Sequence, residues 1–141
     1  MQRKASAVWQ GGLKEGKGTV STESGVLDKA QYSFGTRFEN GKGTNPEELI
    51  AAAHAGCFTM ATSAQLGNAG LTAESLETTA TLTMEKLEAG WTVTAVHLEM
   101  VGKVPGADAA AFEKATSAAK AGCPISRLLN ATITLNARLA S

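Results

Sequence analysis

The sequence predicts an α+β fold with antiparallel sheets packed around a long central helix. Three observations predict it. Period-two alternation recurs at both ends and in the middle of the chain, the stretch from Leu49 to Asn68 runs twenty residues without Asp, Glu, Lys or Arg, and a second, shorter helical segment precedes the last strand. The order is therefore strands, long helix, strands, helix, strand. No repeat, linker or low-complexity segment interrupts it, and 141 residues suit one domain spanning 1–141.

Residues 4 to 35 read as short strands and turns. Ser6, Val8 and Gln10 alternate with Ala5, Ala7 and Trp9, Gly11-Gly12 marks a turn, and Gly16, Gly18 and Gly25 punctuate the next stretch. Thr19 to Thr22 and Tyr32 to Phe38 are expected strands of an antiparallel meander. The long helix begins next. Asn45 suits the N-cap, Pro46 the first helical position, and Glu48 completes an Asn-x-x-Glu capping box. It is expected to reach about Leu66, with Gly67 and Gly70 as its stop. Being apolar nearly all round, it should be covered on most sides. Its length also suits a membrane span, but His54, Thr59, Thr62, Ser63 and Gln65 argue for a helix buried in a soluble protein.

Two more strands come after the helix. Leu76, Thr78, Ala80, Leu82 and Met84 share a face of the first, Trp91, Val93, Ala95 and His97 a face of the second, and Glu88-Ala89-Gly90 is the hairpin turn. Pro105-Gly106 breaks the chain. Asp108 caps a helix to about Lys120, Gly122 stops it, and Cys123-Pro124 restarts a short helical turn to about Leu129. Ile133, Leu135, Ala137 and Leu139 then alternate with polar residues in a final strand.

Composition narrows the function classes. Apolar residues make up 43%, enough for a core, and thirteen basic residues balance thirteen acidic ones. A near-zero net charge argues against a general nucleic-acid or membrane-surface binder. No apolar signal segment follows Met1-Gln2-Arg3-Lys4-Ala5, so the expected location is cytoplasmic and the two cysteines are expected as reduced thiols.

Those cysteines carry the chemistry. Only a thiolate is reactive, so a working cysteine needs something that stabilises negative charge. Cys57 lies mid-helix among apolar residues, where burial alone raises its pKa and leaves it a small core residue. A nearby cation would reverse that, and Arg37 in Gly35-Thr36-Arg37-Phe38, on a strand just before the helix, is the candidate; Lys42, between glycines, is weaker. Cys123 precedes a proline that opens a helical turn, so backbone N–H groups near its sulfur favour the thiolate. By local physics Cys123 is the more easily ionised of the two, or else Cys-Pro simply ends the preceding helix.

The two segments also carry a resemblance. The run from Gly43-Thr44-Asn45-Pro46-Glu47-Glu48-Leu49 to Ala55-Gly56-Cys57-Phe58, together with Gly122-Cys123-Pro124-Ile125-Ser126, resembles the two cysteine motifs of the OsmC/Ohr family. The segments from Gly16 to Gly25 and from Thr36 to Glu39 resemble its OsmC branch. The resemblance implies an intertwined homodimer and a peroxidase reducing organic hydroperoxides. Cys57 would be the peroxidatic thiol, reversing the local ranking, and Cys123 the resolving one. Arg37 would hold Cys57 as thiolate and Glu47 would match the glutamate of the Asn-Pro-Glu motif. An external dithiol would reduce the resulting Cys57–Cys123 disulfide. No cofactor or metal is implied, and neither a nucleic-acid nor a membrane partner.

Glu47 adds a geometric constraint. Ten residues separate it from Cys57, about 15 Å along a helix, so the two cannot meet within one helix. A two-fold pair of antiparallel helices would bring Glu47 of one subunit towards Cys57 of the other. Glu47 also suits the helix N-terminus through the dipole.

Other residues are weighed more plainly. His54 lies three before Cys57 and reads as a packing or interface residue, because two His and two Cys are too few for a zinc site. His97 reads as structural. Trp9 and Trp91 suit either the core or an apolar pocket for an organic peroxide. Gly16-x-Gly18 lacks what a phosphate loop needs, and no Ser sits in a hydrolase constellation. Two further functions suit the same fold: a small-molecule binding module, and a redox sensor whose disulfide signals.

Overall fold

Gly18 organises the first part of the chain. A Cβ there would stand 2.5 Å from the Trp9 ring and 2.6 Å from the Tyr32 ring. Its absence lets the two aromatics meet over the strand, with ring centroids 5.5 Å apart. The strands concerned are β1 (Ala5–Gln10), β2 (Lys17–Thr22) and β3 (Ala30–Tyr32), paired antiparallel in the order β1-β2-β3, with Gly18 opposite both Trp9 and Tyr32. The computed structural model describes residues 1–140 and divides into two compact units, Met1–Leu49 and Ile50–Ser141.

In the first unit the strand expected over Tyr32 to Phe38 ends at Tyr32. A short helix, α1 (Phe34–Phe38), takes its place. The reason is a Ser-x-x-Thr capping box: the Ser33 hydroxyl accepts from the Thr36 amide at 3.2 Å, and the Thr36 hydroxyl accepts from the Ser33 amide at 2.8 Å. Those reciprocal bonds outweigh the aromatic content that favours a strand. Arg37 thus sits in the last turn of a helix, not on a strand.

The long helix α2 (Pro46–Asn68) starts where its caps predict and runs two residues past the expected end. Asn45 Oδ1 accepts from the Glu48 amide at 2.7 Å, and Asn45 Nδ2 donates to the Thr36 carbonyl at 3.0 Å. The Glu48 carboxylate takes the Thr44 hydroxyl at 2.8 Å, so the reciprocal half of the box is spent one residue earlier. Gly70, with φ of 76°, turns the chain after the helix. Within one chain the helix buries a single stripe, His54, Phe58, Thr62 and Leu66, at four-residue spacing. Ala53, Gly56, Met60 and Ala64 stay exposed, so one chain covers less of the helix than its all-round apolar character predicts.

In the second unit β4 (Ser75–Leu87) and β5 (Gly90–Lys103) form an antiparallel hairpin, and β6 (Thr132–Leu139) pairs with β5 in parallel. The sheet is therefore mixed, where the sequence predicts only antiparallel pairing. The crossover that parallel pairing requires is supplied by α3 (Ala109–Gly122) and α4 (Pro124–Leu128). Asp108 caps α3, its Oδ1 accepting from the Ala111 amide at 2.7 Å.

A bulge corrects the face assigned to β5. Thr83 pairs with Ala95 but Met84 with Val93, which leaves Thr94 as the extra residue. Beyond it every side chain changes sides. Val93 joins the face of Val96, Leu98 and Met100, opposite Met84, Leu82, Ala80 and Thr78, while Ala95 and His97 point the other way. That face packs with Phe58 and Leu66 of α2 and Phe112, Ala115 and Ala119 of α3 in one buried cluster that includes Cys123. Each large side chain so enclosed contributes about 1.5–3 kcal/mol.

Candidate active site

Cys123 ends one helix and begins the next. Its amide donates to the Ala119 carbonyl at 2.9 Å, closing α3, and with Pro124 at the first helical position it stands at the N-cap of α4. Cys57 lies in the middle of α2, one residue before the buried Phe58. The two sulfurs, 66 residues apart in sequence, stand 2.9 Å apart, and both are free thiols. A disulfide needs a sulfur separation of about 2.05 Å, so a small approach joins them.

Their surroundings differ. Cys123 is fully buried, whereas Cys57 is partly exposed. Burial pushes the Cys57 thiol up, its contact with Cys123 pushes the same way, and the Ile125 amide offsets part of this. Burial also pushes Cys123 up. There the polar groups nearby, the Cys57 thiol first and then those of Ser126 and Ile125, outweigh burial, and the net shift is downward. The pair titrates as a unit, with the negative charge favoured on Cys123 within the isolated chain. That direction is the one the Cys-Pro helix start predicts from local physics.

A second contact lies beside the sulfurs. His54 Nε2 and Ser126 Oγ stand 2.8 Å apart, bridging α2 and α4 across 72 residues. His54 is fully buried, its Nδ1 has no partner, and burial lowers its pKa. The sequence alone reads His54 as a packing or interface residue and gives Ser126 no role. The available signal is symmetry of spacing: His54 precedes Cys57 by three residues, and Ser126 follows Cys123 by three.

The first unit holds the other two candidates. Arg37 Nε and Nη2 donate to the same oxygen, Glu47 Oε1, at 2.7 and 2.6 Å. Glu47 Oε2 is buried without a hydrogen-bond partner. The Glu47 side chain is 15% exposed and that of Arg37 38%. The guanidinium carbon lies 5.3 Å from the centre of the Phe38 ring. Trp9, Leu13, Tyr32, Phe34, Arg37 and Phe38 line a cavity of about 250 Å³, so one tryptophan does face an apolar pocket. Trp91, in β5, is exposed. His97 contacts Glu99 at 3.0 Å, as a structural histidine would.

Known proteins share the sequence pattern and the fold of this chain. The sequence pattern of the OsmC-like protein family matches residues 39–138. The protein from Escherichia coli K12 named peroxiredoxin OsmC is 53% identical over 141 residues, covering 100% of this chain and 99% of that one. Among solved structures, an OsmC-like protein of unknown function from Vibrio cholerae superposes with a TM-score of 0.79 at 18% identity, covering 97% of this chain and 99% of that one. The organic hydroperoxide resistance protein OhrB of Bacillus subtilis does so with a TM-score of 0.68 at 22% identity, covering 97% and 98%. At such identities the two structures speak for the fold alone. The family pattern and the full-length relative establish more: this chain belongs to the OsmC family.

Proposed function

We propose that this chain is a thiol-dependent peroxidase that reduces organic hydroperoxides, and hydrogen peroxide more weakly, in oxidative and osmotic stress defence. The observation that carries the reading is a pair of free thiols 2.9 Å apart, one of them open to solvent. The 53%-identical relative named a peroxiredoxin supports it.

The exposed sulfur is the one a peroxide reaches, so Cys57 takes the first step. Its thiolate attacks the outer oxygen, the O–O bond breaks, and the alcohol leaves with the proton. Cys57 is left as a sulfenic acid, which Cys123 condenses to a disulfide with loss of water. An external dithiol reduces the disulfide by exchange, and no cofactor or metal enters.

Cys57 must be ionised to start, yet its surroundings in the isolated chain raise its pKa. In this reading Arg37 supplies the missing cation. Arg37 is tied to Glu47, and Glu47 lies ten residues from Cys57 on α2, about 15 Å along the helix. The pair therefore serves the thiol of a second copy, which makes the protein a homodimer with shared sites. The exposed Ala53, Gly56, Met60 and Ala64 face of α2 supports such a partner. The chain works as one functional unit over residues 1–141, located in the cytoplasm, with no nucleic-acid or membrane partner. Among the described residues no helix is long and apolar enough to cross a membrane.

Consumption of cumene hydroperoxide and hydrogen peroxide, with dithiothreitol or a dihydrolipoyl donor, tests the reading. Wild type should turn over steadily, Cys57→Ser should do nothing, and Cys123→Ser without external thiol should stop at the Cys57 sulfenic acid, where wild type goes on to the disulfide. A single stoichiometric oxidation of wild type in the presence of donor marks a sensor instead. Failure of intact reduced protein to consume either peroxide rejects the peroxidase.

A further inference from the structure

Strand β6 is last in the order β4-β5-β6, so one of its edges has no strand beside it. Along that edge α3 and β6 border a cavity of about 430 Å³, lined by the apolar Phe112, Leu135 and Leu139 and by Glu113 and Lys120 of α3. We propose that this groove binds a free peptide of about three residues, laid antiparallel to β6, with its ammonium at Glu113 and its carboxylate at Lys120. The sulfur chemistry plays no part in it.

The register shows which backbone groups are open. The Ala140 amide donates to the Gly102 carbonyl at 2.7 Å, and Gly102 pairs with Leu139. Along a strand the backbone groups of successive residues point alternately to one side and the other. Counting back from Ala140, Arg138 and Asn136 turn theirs to β5, while Ala137 and Leu135 turn theirs to the free edge. Leu135, Ala137 and Leu139 are also the residues whose side chains pack towards the core, at half-buried positions. The same stretch therefore offers an unpaired main chain and an apolar surface beside it, which are the two things an added strand uses. A peptide whose middle residue stands opposite Ala137 exchanges both backbone bonds with it. The middle side chain then lies on the α3 side of the sheet, where the small Ala137 between two leucines leaves room.

Glu113 and Lys120 set the ends. They stand seven residues apart on α3, about 10 Å along its axis. Both line the cavity, and the ion pairs among the described residues join other groups, Arg37 with Glu47, His97 with Glu99 and Lys103 with Glu74. At about 3.4 Å per residue, three extended residues hold a terminal ammonium and a terminal carboxylate about 10 Å apart. As the crossover between two parallel strands, α3 runs opposite to β6, so Glu113 lies towards Leu139 and Lys120 towards Leu135. An ammonium at Glu113 and a carboxylate at Lys120 then orient the peptide antiparallel to β6, the slightly more stable pairing. Size favours a small ligand over a segment of a large partner, because the cavity falls in the range of small-molecule sites. A second copy's edge strand β1 fits the charges less well: Lys4 precedes it, but Ala5 to Gln10 hold no carboxylate for Lys120.

Reduced, isotope-labelled full-length protein titrated with Ala-Leu-Ala at low salt tests the proposal. Saturable amide shifts should gather on α3 from Phe112 to Lys120 and on β6 from Leu135 to Leu139. Hydrogen exchange of the Ala137 amide should slow on binding, while Asn136 and Arg138, already paired to β5, should stay slow throughout. N-acetylation and C-amidation of the peptide should each weaken binding about three- to fivefold. Glu113→Gln should make binding indifferent to acetylation, and Lys120→Gln indifferent to amidation. Methylating the leucine nitrogen of the peptide removes the donor to Ala137 and should weaken binding about fivefold. Cys57→Ser should bind as wild type does, which keeps this outcome separate from that of the peroxidase assay.

Absence of saturable shifts with Ala-Leu-Ala overturns the proposal. So does equal binding of the acetylated, amidated and free peptides, which would make the groove an apolar cleft that reads no termini. An Ala137 amide already slow to exchange in the peptide-free protein would mean that the β6 edge pairs with a second copy, and overturns it as well.

Discussion

The two units solve the problem of placing reactive groups in opposite ways. In Ile50–Ser141 the sulfur pair is built into the edge of a closed core: Cys123 has no exposure and belongs to the same buried cluster as Phe58, Leu98 and Phe112. In Met1–Leu49 the only buried positions are Gly16, Gly18 and Thr36, and every residue of β1 is exposed. There the Arg37 guanidinium is held by one carboxylate oxygen and an aromatic face. Each arrangement suits the group it holds. In the function proposed above, Cys123 resolves and has to be aimed and kept from solvent, which packing does, while Arg37 serves the thiol of a second copy and has to be presented, which a half-exposed ion pair does.

The largest expected effect tests the packing side. Phe58→Ala should cost about 3–5 kcal/mol in urea unfolding, because a fully enclosed ring beside the sulfurs is replaced by a cavity. A loss under about 1 kcal/mol would mean that the sulfur pair does not depend on the core.

Arg37→Met probes the presenting side. It should lower kcat/KM for cumene hydroperoxide by about 10- to 100-fold and cost about 1–3 kcal/mol in stability, because the mostly buried Glu47 carboxylate loses its donor. A large stability loss with intact kinetics would make the Arg37–Glu47 pair a structural clip.

Two glycines give a matched pair across the units. A Cβ at Gly102 would meet the Phe112 ring at 2.5 Å, and one at Gly18 would meet the Trp9 ring at the same distance. Phe112 is 2% exposed and Trp9 36%, and Tyr32, which a Cβ at Gly18 would also meet, is half-buried, so the two rings at Gly18 can give way where Phe112 cannot. Gly102→Ala should cost about 1–3 kcal/mol in urea unfolding, and Gly18→Ala less than about 1. Equal costs would show that the first unit is as tightly packed as the second.

The smallest effect is a slope. Burial holds the folded pKa of His54 below 6.5, so between 6.5 and that lower value the unfolded chain binds a proton the folded chain refuses. More protons on the unfolded state means stability that rises with pH. Acidification below 6.5 should therefore destabilise the protein by at most ~1.4 kcal/mol per pH unit, and the loss should level off once the folded ring also protonates. His54→Met should lack this contribution when stability is measured across that window.

Local chemistry was legible. Asn45, Pro46 and Asp108 mark their helix starts because a cap involves only neighbouring residues, and the alternation from Leu76 to Met84 and from Ile133 to Leu139 reports faces that are in fact half-buried. Competition was not legible. Ser33 and Thr36 turned an aromatic strand pattern into α1, and Glu48 took the Thr44 hydroxyl in place of closing the box at Asn45. The extra residue at Thr94 changed which side of β5 faces the core, and no composition signal announces a bulge whose register is set by the partner strand.

Where helices begin, which strands alternate, and that a Cys-Pro start favours a thiolate can all be read along the chain, since each depends on atoms a few residues apart. That Cys57 meets Cys123 was implied by the family resemblance and not by any local signal, while the contact of His54 with Ser126 and the parallel pairing of β6 with β5 emerge only from the folded molecule. Those pairings span 66 and 72 residues and a helical crossover. They arise only when burial of the α2 stripe against the sheet and α3 fixes elements whose sequences hold no record of one another.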